Sequence, residues 1–392
     1  MKKISKAASV ITVLLFFAVL LLLAVMTTIR EKETYSYYEN RNLSAFPSVT
    51  AEGVSDGSYF SGIDTYIREH AAGRTTLLRL NTYLDMNVLK RPVVNDVVIA
   101  GDVLLPFNEY SVIDREEISN RAENAAVLLS ERSKFVSSYG GKYYYVAVPS
   151  QNMCYEDLYP WYLNSGADYS DAVSDLFFDA LDRNGVSYID MYTEYIENGS
   201  PDYFMSTVDH HYTVLGAYDT YLAVMERIAS DTDFSLPVLS DGSYRVEWLG
   251  NPFLGSRARK LFGLWSSDER LGLVYPNESV TFERYNNGNR SVDLVYGFPW
   301  GDSVTPLLYS TYMGGDIAHT FIDTHREELP SVLVYGDSFT NAFESIVWYS
   351  FDKMYSIDLR HYTEMTIEQF IDEYRPDIVI CIKDYTAVLG GE

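Results

Sequence analysis

An α/β fold on a doubly wound parallel sheet, preceded by one membrane-crossing helix, is what this sequence predicts. Three observations carry that prediction. Short apolar runs alternate with helical stretches from Val93 onward, which is how parallel strands joined by crossover helices read. Several of those runs are bounded by Gly-Gly or Asn-Gly, which end helices and open turns. The stretch from Ala7 to Ile29 carries no charge. With 392 residues, 47% hydrophobic and 15% aromatic, the chain has enough apolar surface for one large core.

The N-terminal stretch AASVITVLLFFAVLLLLAVMTTI is 23 residues long, sufficient to cross a hydrocarbon layer of about 30 Å as a helix. Lys2, Lys3 and Lys6 precede it, so residues 1–6 are expected in the cytoplasm and the rest outside it, although Arg30 and Lys32 follow among Glu31 and Glu33. A cleaved signal peptide is the competing reading. The stretch is longer than a usual signal core and no small-x-small site closes it, which favours a single-pass anchor over residues 7–29 in the cell membrane.

Residues 30–92 read as an extracytoplasmic stem and helical lead-in, with a polar part to about 60 and a helical stretch at roughly Phe60 to Leu89. Residues 93–392 read as the main domain. Its first strand-like run, Val93 to Leu105, is broken at Gly101-Asp102; a helix follows over Arg115 to Tyr139 and stops at Gly140-Gly141. Lys142-YYYVAV-Pro149 is a buried strand, Asp171 to Arg183 a helix ended by Asn184-Gly185, and Val186 to Met191 a short strand. Leu215, Tyr218, Leu222 and Met225 have helical spacing within Val214 to Ala229. Between about 232 and 325 the Gly-, Asn- and Tyr-rich pattern suggests an irregular or β-rich insertion. The alternation then resumes: strand Ser331 to Tyr335, helix from Thr340, strand Met354 to Asp358, helix Thr366 to Tyr374, strand Asp377 to Ile382.

Net charge is −25, and because Lys2, Lys3 and Lys6 are the only charges before the apolar stretch, everything after it carries −28. Such a surface repels phosphate backbones and excludes nucleic acid as a partner. Cys154 and Cys381 are too few for a disulfide framework and lack zinc-site spacing; they are expected to be buried free thiols, a single disulfide remaining open outside the cytoplasm.

In SVLVYGDSFTNAF, Ser338 leaves an apolar strand and enters a helix at the carboxyl edge of the sheet, where open α/β folds bind ligands. Gly336 is expected to permit the tight turn, and the helix end to aim backbone N–H groups at a developing oxyanion. A helix-capping serine is the plain alternative. The serine needs a base, and VDHHYTVLG supplies Asp209, His210 and His211 just before a helix: an imidazole for the proton and a carboxylate to orient it. Metal ligation or a surface turn also fits this run, but no H-x-x-x-H or neighbouring carboxylate pair supports a metal. His70, His319, His325 and His361 are expected to be structural or solvated.

Five segments in order, ENRNLSAFP at 39–47, VAVPSQNMCY at 146–155, DHHYTVLGAY at 209–218, NPFLGSRAR at 251–259 and VYGDSFTNAF at 334–343, resemble the SGNH-hydrolase-like proteins of the alginate O-acetylation type, and within them the DHHW proteins. The resemblance implies a flavodoxin-like SGNH domain in which an Asp-x-His pair precedes the serine. It assigns Asp209 and His211 as the acid/base pair of Ser338, with no metal or other cofactor. His210 is then the intervening residue, and Tyr212 stands where the family name has Trp. By analogy the loop after Tyr143 to Val148 faces the site, nominating Gln151 or Asn152 as an oxyanion donor beside the Ser338 N–H and Gly336. Asp337, Tyr212, His210 and Arg360 are second-rank neighbours, Arg360 more as a salt-bridge residue.

The implied reaction is acetyl transfer onto an exported or cell-surface polysaccharide, with acetyl groups supplied by a multi-pass membrane O-acyltransferase. A polyanionic acceptor such as alginate fits poorly with −28, so a neutral or amino-sugar glycan is expected. Three alternatives stand beside it: an acetyl-esterase using the same residues, a non-catalytic glycan-binding scaffold, and a metal-dependent phosphoesterase built on His210 and His211.

Overall fold

A computed structural model describes residues 6–110, 112–298 and 301–387. Lys2 and Lys3, on which the expected orientation of the anchor rests, lie outside the described residues. The chain divides into two compact units: residues up to Asn95 with Arg259–Trp265, and Asp96–Ala258 with Ser266 onward.

In the first unit, Lys6–Ile29 is one helix, and its Ala8–Ile29 portion is long and apolar enough to cross a membrane, with exposed side chains. Thr27 Oγ1 in its last turns accepts the Ala72 N–H at 3.0 Å. The helical stretch expected at Phe60 to Leu89 is two helices, Ser58–His70 and Arg74–Tyr83, the second running on through a π-helical turn at Leu84–Val88. The break falls at Gly73, whose φ of 75° lies in the left-handed region that glycine adopts without strain. Glu39 accepts Arg74 and Arg41, and Glu69 accepts Arg41 and the Ser44 N–H, which ties the segment after the N-terminal helix to these helices.

The second unit is built on an eight-stranded sheet: β1 Lys142–Val148, β2 Tyr188–Asp190, β3 Glu283–Asn286, β4 Asn289–Arg290, β5 His319–Asp323, β6 Val332–Gly336, β7 Lys353–Ile357 and β8 Ile378–Asp384. Their spatial order is β4-β3-β5-β7-β6-β8-β1-β2. The five strands β7-β6-β8-β1-β2 are parallel. Counted from β6, which leads to Ser338, that order reads 2-1-3-4-5, the flavodoxin-like arrangement, with the chain entering it at the fourth position. The sheet is mixed, because the expected insertion does not stay outside it. Its strands β3, β4 and β5 add antiparallel to the edge of β7, with Thr320 opposite Ser356.

Strands covered on both faces need apolar residues at every position rather than at every second one, and Tyr143–Val148 and Val332–Tyr335 are buried throughout. On one face, helices Arg115–Ser138 and Ala167–Asn184 contribute Ala122, Ala126, Phe177 and Ala180 to a core shared with Tyr145, Tyr335 and Cys381. The expected helix stops hold: Gly140 and Gly185 both have positive φ. Gly336 needs a different explanation from the tight turn expected of it. It is a strand residue, and a Cβ there would sit 1.8 Å from the Ile382 carbonyl oxygen of β8, so glycine is required for strand contact. Cys154 and Cys381 form no disulfide.

Candidate active site

The turn leaving β6 is fixed by Asp337. Its Oδ1 accepts the Phe339 N–H at 3.0 Å and its Oδ2 accepts the Asp384 N–H at 2.9 Å, at the end of β8. Burial pushes this carboxyl up from the ordinary range, against those two hydrogen bonds. Ser338 is thereby held where β6 and β8 diverge, the switch point of the sheet. The helix Thr340–Val347 has Phe339 at its cap position with no side-chain cap, so the serine hydroxyl is not a cap. The Ser338 N–H makes no hydrogen bond among the described residues, leaving it a candidate oxyanion donor.

The Asp209–His211 segment is shaped from both sides. Ser206 Oγ accepts the Val208 and Asp209 N–H groups at 3.2 and 2.9 Å, and Thr213 caps the helix Val214–Asp231. The structure brings Asp209, His211 and Ser338 together. His211 Nδ1 lies 2.6 Å from Asp209 Oδ1, and His211 Nε2 lies 2.6 Å from Ser338 Oγ. Asp209 Oδ1 also accepts the His211 N–H at 3.1 Å, and Oδ2 accepts the Ser256 N–H at 2.6 Å.

Asp209 is 2% and His211 5% exposed. Burial alone would raise the Asp209 carboxyl. The His211 and His210 imidazoles and the Ser256 N–H outweigh it and hold the group well below the usual carboxylate range. An ionised Asp209 only accepts, so Nδ1 of His211 carries the proton and Nε2 is free to accept from the Ser338 hydroxyl. That is the tautomer a general base needs.

The family sequence model described as DHHW protein matches residues 39–138 and 110–357. The chain belongs to the DHHW family. Among solved structures, Bacillus cereus PatB1 with a sulfonyl adduct is similar at 19% identity and a TM-score of 0.62, over 74% of this chain and 95% of that one. A DHHW family protein from Eubacterium siraeum DSM 15702 is similar at 21% identity and a TM-score of 0.55, over 76% of this chain and 93% of that one. These likenesses show the fold. Comparison with curated proteins gave no match.

The DHHW signature is read here as Asp209-His210-His211-Tyr212, and each member sits differently. His210 is exposed and its Nδ1 lies 2.7 Å from Ser256 Oγ. Tyr212 is buried, donates its hydroxyl to the Phe339 carbonyl and packs edge-on against the Phe339 ring at 4.9 Å, so it bolts the His211 segment to the Ser338 turn. Asp209, His210 and His211 also bring one metal-ligating atom each within 4.8 Å of one another, but both Asp209 oxygens already accept N–H hydrogen bonds.

The two amides nominated as oxyanion donors are both engaged by backbone carbonyls. Gln151 is buried and gives its amide to the Leu104 and Ser206 carbonyls at 3.1 and 2.9 Å, while its oxygen accepts Arg257 Nε at 3.2 Å; its donors are spent. Asn152 donates to the Ser165 carbonyl at 3.0 Å and braces its own loop. Arg360 pairs with Asp358 and Asp316 at 2.7 and 3.1 Å, the salt-bridge role expected of it. The Asp316 carboxylate also accepts Asn341 Nδ2 at 3.0 Å.

Sequence reasoning missed three contributors. Ser256 acts through its backbone N–H. Gly255 lets it approach, since a Cβ there would lie 2.3 Å from the Val208 carbonyl oxygen. Both lie in NPFLGSRAR, one of the five segments that carry the family resemblance. Tyr309 stacks on His211, with ring centroids 3.8 Å apart and 5° between planes. No spacing signal singles it out among 34 tyrosines.

Proposed function

We propose that this DHHW protein is a membrane-anchored, extracytoplasmic serine O-acetyltransferase acting on a cell-surface or exported polysaccharide, with Ser338 as nucleophile, His211 as general base and acid, and Asp209 as its orienting carboxylate. The observation that carries the reading is the pair of 2.6 Å contacts through which His211 joins Ser338 to Asp209. Residues 7–29 are the anchor, 30–92 the stem, and 93–392 the catalytic domain with its insertion at about 232–325.

Ser338 Oγ gives its proton to His211 Nε2 and attacks the acetyl carbonyl, whose oxygen becomes an oxyanion facing the Ser338 N–H. The tetrahedral centre collapses, the ester C–O bond breaks, and the leaving alcohol takes the proton from His211. A sugar hydroxyl then yields its proton to His211 Nε2 and attacks the acetyl-serine, forming the new ester and restoring Ser338. Asp209 stays ionised and stabilises the imidazolium in both halves. The acetyl donor on the membrane side is a multi-pass O-acyltransferase. A net charge of −28 after the anchor favours a neutral or amino-sugar acceptor over a polyanion.

The test is acetate release from a chromogenic acetyl ester by residues 1–392 in detergent, with and without an oligosaccharide, comparing wild type, Ser338→Ala and His211→Ala. Loss in both variants with acetylated oligosaccharide in the wild type supports the transferase. Release without transfer supports the esterase alternative. Equal inactivity of all three beside a working control esterase supports the scaffold.

A further inference from the structure

We infer that Tyr309 is a positioning residue for His211: its ring face fixes the imidazole plane and stabilises the imidazolium that forms when the serine proton is taken. This rests on the acyl-transfer reading above. The two rings are parallel within 5° at 3.8 Å, the geometry in which an aromatic face attracts a flat cation, and Tyr309 is 8% exposed, so solvent does not screen the contact. Burial pushes its phenol well above its ordinary range, so it stays neutral beside the base.

The support comes from the insertion as a built piece. Tyr309 opens the short 3-10 turn Tyr309–Thr311, and Tyr312, packed edge-on against it at 5.1 Å, donates its hydroxyl to the Gly272 carbonyl at 2.9 Å. The chain just before it is clamped to NPFLGS: Leu307 N–H donates to the Pro252 carbonyl and Leu254 N–H to the Leu307 carbonyl, each at 2.8 Å. The segment that presents Tyr309 to the imidazole is thus hydrogen-bonded to the one that presents the Ser256 N–H to Asp209. One inserted region steadies both the base and its carboxylate.

The ring does this, not the hydroxyl, which is buried with no hydrogen-bond partner among the described residues. The other groups facing His211 are Asp209 and His210 on its own segment, the His210 ring at 3.8 Å and 37°; the Phe339 edge at 5.0 Å; and the Asp337 carboxylate from the nucleophile turn. Tyr309 is the one parallel face among them.

The experiment follows the His211 ring protons by NMR through a pH titration of the detergent-solubilised full chain, in wild type, Tyr309→Phe, Tyr309→Leu and Tyr309→Met. Either aliphatic variant that folds gives the answer. Losing the ring face lowers the titration midpoint by about half to one pH unit, while Phe keeps it within about 0.2 unit. Ester turnover, measured alongside, falls about three- to tenfold in kcat/KM for the aliphatic variants only. An unmoved midpoint in a folded aliphatic variant overturns the inference, as does a Phe variant that shifts as far as Leu. The titration reads out whether or not ester is turned over, so failure of the acyl-transfer reading, scored by Ser338→Ala, stays distinguishable from failure of this one.

Discussion

Replacing Asp209 by Asn is expected to cut kcat by about 10³–10⁴-fold while the protein stays folded. Three N–H groups converge on this carboxylate: His211 Nδ1 at 2.6 Å, the His211 backbone at 3.1 Å and the Ser256 backbone at 2.6 Å. An amide has one accepting oxygen. If that oxygen stays toward His211, the new NH₂ meets the Ser256 N–H donor to donor and the segment must shift. If the amide flips, the NH₂ meets His211 Nδ1, which must then accept, and the imidazole proton moves to Nε2. Nε2 can no longer take the Ser338 proton. Either way the charge opposite the imidazolium is gone, and the expected loss corresponds to roughly 4–5.5 kcal/mol at about 1.4 kcal/mol per decade. The assay is steady-state hydrolysis of a chromogenic acetyl ester, with circular dichroism to check the fold. A folded Asp209→Asn variant losing less than about tenfold would refute the reasoning, because the carboxylate would then not set the tautomer.

Burial pushes Asp384 up to about 6, so between about pH 4 and 6 the folded chain holds a proton that the unfolded chain has lost. Stability should therefore fall as pH rises through that window, and Asp384→Asn should flatten the slope in thermal melts. Gly336→Ala and Gly255→Ala place a Cβ 1.8 Å from the Ile382 oxygen and 2.3 Å from the Val208 oxygen, and each should cost roughly 3 kcal/mol in chemical denaturation. The Gly255 change should also lower kcat, since it displaces the Ser256 N–H from Asp209. Tyr212→Phe removes the hydrogen bond to the Phe339 carbonyl and should cost about 1 kcal/mol, with a several-fold fall in turnover as the Ser338 turn loosens.

What the sequence made legible follows its strongest local signals. The apolar run before Gly336 and the polar-to-apolar change after Ser338 specify a strand, a turn and a helix without reference to anything distant. Asp209-His210-His211 is a dense polar run that opens a helix capped by Thr213. The mixed edge of the sheet was not legible, because β3 reads Glu-Arg-Tyr-Asn and gains its strand character only by pairing with β4 and β5. Strand order is likewise a long-range property, and the shifted starting point of the 2-1-3-4-5 order left no local trace. Gln151 follows the strand Tyr143–Val148, where an oxyanion donor is expected, yet its side chain turns to the Leu104 and Ser206 carbonyls, buried acceptors that take its amide N–H groups. Ser256 was invisible because its working atom is in the backbone, and Tyr309 because a ring stack across a long sequence separation has no spacing to betray it.

The proposed acetyl-enzyme on Ser338 can be trapped. The protein would be mixed with a chromogenic acetyl ester, quenched in acid during turnover, digested, and the peptide containing Ser338 examined by mass spectrometry. An acetyl group is expected on Ser338, absent from Ser338→Ala and lost on adding an oligosaccharide acceptor as acetylated sugar forms. Turnover by the wild type with the acetyl group on another residue, or undiminished turnover by Ser338→Ala, would contradict it.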